Sequence, residues 1–436
     1  MFSSSDSGLD ATYNYRRKVF ERHVKLTPAG WVVTEFLPDV PWAGIYNTIS
    51  CAASHHFNEG RWLCDTKYLV DYAKFWCSVG NPRLYSFPVA DSILSFAKVT
   101  GDKSLAVALY RELERIHSEW DDHKCPDGLY WQYCGYDGME YSISGDGKRP
   151  TINSYMYADK AALSVIAGFC GDAEGEKKYR EQAEELRLLI NEKLFNEKIG
   201  MYGTVGVDGD RRDVRELVGY IPYMYGIPQR GAEEFSYLLD ENCFFAPYGP
   251  RTADRSHPEY NKHFDHECLW NGPSWPFATT QTLKSVIYLL QNYAEAPISD
   301  RDFMTLLGIY SNSQRDEDGS PYIDENLDPE TGIWLARSIL KSWNRSDSDR
   351  GRDYNHSSFI DLVITGVCGI VPSLDDTLAI KPLGRSLDYF TLSNINYHGR
   401  IFDLSWSKSD GLSLSENGKL ISHQDPSDTG AMVVKL

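Results

Sequence analysis

Along most of the chain, apolar side chains recur at helical spacing. Leu105, Leu109, Leu113, Ile116 and Trp120 step by 4, 4, 3 and 4 residues, and Tyr179, Ala183, Leu186, Ile190 and Leu194 step by 4, 3, 4 and 4. Each set forms one stripe on a helical surface, so each predicts an amphipathic helix laid on a core. Segments 67–77, 86–99, 155–170, 273–293, 299–312 and 356–370 are also predicted helical, joined by Gly-, Pro- and Asp-rich connections such as Cys125-Pro126-Asp127-Gly128. From about residue 375 the period changes to two, with Leu378 and Ile380, then Phe402, Leu404 and Trp406 facing opposite to Ile401, Asp403 and Ser405. Asn417-Gly418, between short apolar stretches, predicts a hairpin turn. The pattern predicts a mainly α chain: helix pairs with long polar loops over 1–374, and a small β-rich C-terminal cap over 375–436.

Composition bounds the function. Hydrophobic residues are 42% of the 436, enough for a large core and too many for a disordered chain. Asp and Glu number 62 against 44 Lys and Arg, a formal charge of −18, and a field of that sign repels phosphate backbones and anionic lipid. Neither nucleic acid nor membrane is expected as a partner. The 28 Tyr and 11 Trp are more informative beside so many carboxylates, because flat rings and acids suit the C–H faces and hydroxyls of sugars. Most aromatic residues nevertheless pack in cores. The nine cysteines show no Cys-x-x-Cys pair and no zinc-type spacing, so buried free thiols are expected.

The first twenty residues, MFSSSDSGLDATYNYRRKVF, hold no apolar signal region, and no run of about 18 apolar residues occurs. The expected location is the cytoplasm, with a secreted protein whose signal peptide has been removed as the alternative. The oligomeric state is not legible.

Four stretches concentrate acids, aromatics and turn residues: 59–65 (EGRWLCD), 135–153 (GYDGMEYSISGDGKRPTIN), 265–276 (DHECLWNGPSWP) and 321–334 (PYIDENLDPETGIW). A fifth, 350–361 (RGRDYNHSSFID), is equally polar. Hydrolysis of a glycosidic bond with inversion needs one protonated carboxyl beside the leaving oxygen and one carboxylate across the ring to polarise a water. Separate acidic loops could supply the two. Taken singly, Glu140 reads as a solvated loop carboxylate and Glu325 as a turn cap.

These stretches resemble glycoside hydrolase family 63 and its relatives that hydrolyse mannosylglycerate and glucosylglycerate, over roughly residues 55–370. Trp62 and Asp65 match the family's early Trp-x-x-Asp element, which lines the sugar subsite. Gly138-Met139-Glu140-Tyr141-Ser142 matches the Gly-Met-Asp-Asn-Ser element that carries the general acid, with Glu in place of Asp. Trp270-Asn271-Gly272-Pro273-Ser274-Trp275-Pro276 matches Trp-Arg-Gly-Pro-x-Trp-Pro, with Asn replacing Arg, and Glu325-Asn326-Leu327-Asp328-Pro329-Glu330-Thr331-Gly332 fits the motif of the base. About 20 further residues separate the base from Asp353-Tyr354-Asn355-His356, where the family continues sooner into an aromatic-rich helix.

The resemblance implies an (α/α)6 barrel, a six-hairpin glycosidase, that is inverting and exo-acting on a carbohydrate, with no cofactor. Glu140 would be the acid and Glu325 the base. Asp137, three residues earlier, is the rival acid, and Asp353 is a second supporting candidate. Trp62, Asp65, Asn153, Trp270, Asn271, Trp275, Tyr354 and His356 are the expected substrate-binding residues. Asp65 opens a predicted helix and also reads as a cap, and Trp275 reads equally as core packing. His266 lies between Asp265 and Glu267, but no second His stands at a ligand spacing, so no metal is expected.

Two other readings stay open. A polysaccharide lyase on the same helical scaffold would use Arg352, Tyr354, Asn355 and His356. A sugar-binding protein without chemistry would keep the scaffold alone.

Overall fold

A computed structural model describes residues 1–262 and 265–436. Helices make up 41% of the chain and strands 16%. The expectation of a mainly α chain, an (α/α)6 barrel with a small β cap, is therefore corrected: this is a helical core joined to a substantial sheet region. One reason lies between about 195 and 275, where prolines and glycines, as in Tyr225-Gly226-Ile227-Pro228 and Ala246-Pro247-Tyr248-Gly249-Pro250, replace regular helices with 3-10 turns, short strands and irregular chain.

Long helices appear where apolar periodicity predicted them. Lys67–Ser78, Val89–Thr100, Ser104–Ser118, Pro150–Phe169, Ala173–Leu189, Pro276–Asn292 and Asp300–Ser313 form the core. Pro150 and Pro276 each stand at the first helical position, where a missing N–H costs nothing. Ser299 and Asp302 close a capping box on the helix Asp300–Ser313. The predicted helix 356–370 is corrected as well: only Phe359–Leu362 is α-helical, followed by a π turn over Val363–Val367 and a strand, Ile370–Val371. A further helix, Ser7–His23, begins after Asp6, whose side chain accepts the N–H groups of Gly8 and Leu9.

The sheet region has a five-stranded antiparallel sheet and a three-stranded one. Phe402, Leu404 and Trp406 all face inward, as alternation requires. Asn417 and Gly418 both take left-handed φ, 49° and 78°, and turn Gly411–Glu416 into Lys419–Gln424. The strand Phe2–Ser4, from the other end of the chain, pairs with Tyr389–Tyr397 and closes one edge. No described helix is long and apolar enough to cross a membrane.

Candidate active site

Four of the five polar stretches, 135–153, 265–276, 321–334 and 350–361, contribute to the wall of one cavity of about 230 Å³. Each is shaped locally before it contributes a side chain. In the first, a 3-10 turn over Gly135–Asp137 ends at Gly138, whose φ of 72° leads the chain to a buried Met139 and then to Glu140. Tyr141, at φ 61°, turns it away again, so Glu140 sits between two left-handed turns of the chain. Arg149 fastens the loop from beneath: its Nε donates to Asp137 at 2.6 Å and its Nη1 to the carbonyl of Gly145 at 2.6 Å. Ser86 Oγ donates to the other Asp137 oxygen at 2.7 Å.

Asp324 positions the second carboxyl by accepting the backbone N–H of Glu325 and the hydroxyl of Tyr322, both at 2.7 Å. A Cβ at position 351 would stand 1.8 Å from Asp324 Oδ1, so any side chain there would displace the Asp324 carboxylate. The third loop joins the other two. Trp270 N donates to the Glu140 carbonyl at 3.0 Å, while Ser274 and Leu327 exchange backbone bonds of 2.9 Å each way. His356 Nε2 lies 3.2 Å from the carbonyl of Glu325.

Glu140 and Glu325 both line the cavity, with Trp270, Trp275, Tyr354 and His356. The rings of Trp270 and Trp275 stack 4.5 Å apart, and Trp275 is anchored by its Nε1 donating 2.8 Å to the Leu269 carbonyl. Trp270 Nε1 and His356 Nδ1 are buried polar atoms without a hydrogen-bond partner.

The remaining expected site residues lie elsewhere. Asp137 is occupied by Arg149 and Ser86 as described. Asp353 binds Tyr15 at 2.5 Å and Arg22, tying the N-terminal helix to the chain. Trp62 donates to Asp361 at 2.8 Å, away from the cavity. Asp65 is exposed, pairs with Lys67 at 2.8 Å and accepts that residue's backbone N–H in the turn just before the helix Lys67–Ser78. Asn153 is buried and bonded to the backbone of Tyr130 and Arg149. Asn271 is buried outside the cavity wall.

The cavity also holds residues that were not singled out: Glu35, Cys51, Tyr85, Glu267, Cys268 and Arg350. Four of these govern its electrostatics. Arg350 stands 3.6 Å from Glu325 and is held by Glu267 at 2.7 Å, while the Cys268 thiol donates to Glu325 at 3.0 Å. Glu35, which accepts the Tyr354 hydroxyl at 2.6 Å, joins Glu140, Glu267 and Glu325 as a fourth carboxyl in the wall. Its signal was an acid placed directly after the apolar strand Gly30–Val33 and Thr34, followed by Phe36 and Trp42. Among the described residues no group of three or more His, Cys, Asp and Glu is arranged to hold a metal; His266 instead packs on the Tyr141 ring at 5.2 Å.

Burial raises the carboxyls of Glu140 and Glu325 to about 7, opposed at Glu325 by Arg350, and that of Glu35 to about 8, opposed by the Tyr354 hydrogen bond. The three cannot all ionise at neutral pH, since each raises the proton affinity of the next. Glu325 has a guanidinium and a thiol donor as partners. Among the described residues no cation pairs with Glu140, so the two carboxyls differ in their partners.

Comparison with known proteins finds the family model described as the mannosylglycerate hydrolase MGH1-like glycoside hydrolase domain matching residues 45–357. A solved structure described as a sialidase is 36% identical and superposes with a TM-score of 0.93, over 99% of this chain and 41% of that one. A family 78 rhamnosidase of a Bacillus species is 13% identical, with a TM-score of 0.63 over 95% of this chain and 41% of the other. The family 63 mannosylglycerate hydrolase of Thermus thermophilus, solved with glucose, is 13% identical, with a TM-score of 0.55 over 81% and 98%. The chain thus spans about two fifths of the length of the sialidase and the rhamnosidase.

Proposed function

We propose, from the premise that this chain belongs to the mannosylglycerate hydrolase MGH1-like glycoside hydrolase family, that it hydrolyses a terminal glycosidic bond with inversion. The observation that carries the reading is the pair of carboxyls with different partners, Glu140 and Glu325, in the wall of one small aromatic cavity. A cavity of about 230 Å³ is below the usual range for ligand pockets, roughly 300–1,000 Å³, and suits a single sugar ring entering from a chain end. That size supports exo action.

In this mechanism Glu140 gives its proton to the glycosidic oxygen as the C–O bond breaks. Glu325 takes a proton from the water that attacks the opposite face of the ring. The sugar leaves with inverted anomeric configuration, Glu140 is left ionised and Glu325 protonated, and exchange with solvent restores both. Arg350 favours the ionised form of the base beforehand. Glu35, proton-bearing at neutral pH and with one buried oxygen unbonded, offers a hydrogen bond to a sugar hydroxyl. Trp270 Nε1 offers another.

The same geometry disfavours a lyase. Tyr354 donates its hydroxyl hydrogen bond to Glu35, and Arg352 pairs with Asp349 at 2.8 Å outside the cavity wall. The test is a panel of nitrophenyl glycosides followed, for the best substrate, by proton NMR of the first product anomer. Inversion supports the reading. A retained anomer would replace it with a covalent mechanism.

A further inference from the structure

Aromatic rings continue from the cavity wall onto the open surface. Tyr85 lines the cavity, and its ring centroid lies 6.2 Å from that of Tyr136. Tyr136 lies 5.8 Å from Tyr133, Tyr133 lies 4.9 Å from Trp131, and Trp131 stacks on His123 at 4.8 Å. Within this track Tyr136 and Tyr133 expose 49% and 47% of their surface, in contrast to the buried Trp270 and Trp275. A cluster of large exposed rings costs hydration and is a feature of surfaces that bind something. Edge-to-face contacts between Tyr85, Tyr136, Tyr133 and Trp131, tilted by 66° to 85°, hold the rings in place before any ligand arrives.

The chemistry at Glu140 gives the track a direction. A general acid stands beside the leaving-group oxygen, so the departing part of the substrate passes that carboxyl. Tyr136 precedes Glu140 by four residues in the same loop, and its carbonyl accepts the backbone N–H of Ser86, which binds the loop to the Tyr85 segment at 2.8 Å. We propose that Tyr85, Tyr136 and Tyr133 form subsites for an uncharged saccharide chain on the leaving-group side. The substrate is then the end of an oligo- or polysaccharide rather than a glycoside of a small alcohol or acid. The net charge of −18 favours a neutral chain over a uronate polymer. This inference rests on the reading of Glu140 as the acid.

The experiment measures kcat/KM on the best nitrophenyl glycoside and on neutral di-, tri- and tetrasaccharides that end in the same sugar and linkage. For the wild-type enzyme the value rises from disaccharide to tetrasaccharide by about tenfold, the equivalent of about 1.4 kcal/mol. Tyr133→Ala with Tyr136→Ala removes the rise, whereas Tyr133→Phe with Tyr136→Phe keeps it. Each variant is read as a ratio between substrates, which a loss of folded protein does not change. A wild-type value flat with chain length, or a rise that survives the alanines, overturns the inference and leaves the glycosidase reading intact. Failure to hydrolyse any glycoside in the panel or the series would remove both.

Discussion

Arg350 places its Nε 3.6 Å from Oε1 of Glu325, and among the described residues Glu140 has no such neighbour. Two glutamates of one residue type share a cavity but differ in their partners, Glu325 having this guanidinium and the Cys268 thiol. Opposite roles then need no difference in residue type, only a difference in partners.

Replacing Arg350 with Met should expose this dependence. The guanidinium favours the ionised form of Glu325, so its loss raises the carboxyl's pKa, by roughly 1–3 units for a charge at this range. The base then stays protonated to higher pH. The acidic limb of the kcat/KM profile should move upward by that amount, and an unmoved limb would mean that Arg350 does not set the base.

Asp137→Asn should act on the fold of the loop. Asp137 and Arg149 are buried together, and removing one partner of such a pair leaves an uncompensated charge, at a cost of about 3–5 kcal/mol. A lowered melting temperature is expected, with an unchanged preference between activated and natural leaving groups. Full stability with a new dependence on the leaving group would make Asp137 the acid.

Glu35 should make stability fall as pH rises. Its folded pKa, about 8, lies above the ordinary value of 4.5, so the folded state binds the extra proton between those limits. The stabilisation is fully present below about pH 4.5 and is lost as pH climbs through about 8. Thermal melts from about pH 4.5 to about 8.5 should show the decline, and Glu35→Gln should make it shallower without abolishing it, since Glu140 and Glu325 are also raised, lifting the melting point near pH 8 by a few °C, on the order expected for about 1–2 kcal/mol. An unaltered slope would place Glu35 outside this account.

Much of the site was legible because its chemistry rides on local turn signals. Gly138-Met139-Glu140 and Glu325 through Gly332 are short loops whose conformation is written in adjacent residues, and Trp270 and Trp275 lie in a third such loop. Glu35, Cys268 and Arg350 were harder to single out, because what matters in them is proximity between residues far apart in the chain. Trp62 and Asp65 show the converse: a matching local pattern whose side chains bond to Asp361 and to Lys67 instead. The fold followed the same division. Helices with one clear apolar stripe were legible, whereas Ser7–His23 has mixed polarity and is announced mainly by its Asp6 cap. The pairing of Phe2–Ser4 with Tyr389–Tyr397 joins the two ends of the chain, and no local pattern encodes it.

The assignment of Glu140 as acid and Glu325 as base is tested most directly by how each variant depends on the leaving group. A nitrophenolate departs with little protonation and a sugar alkoxide does not, so general-acid catalysis of about 10²–10⁴-fold is needed only for the second. Steady-state kcat/KM should be measured for Glu140→Gln and Glu325→Gln on a nitrophenyl glycoside and on a natural glycoside of the same sugar. Glu140→Gln is expected to lose activity on the natural glycoside by that factor and far less on the activated one, while Glu325→Gln loses both. Equal losses on the two substrates in Glu140→Gln, or full activity in either variant, would contradict the assignment.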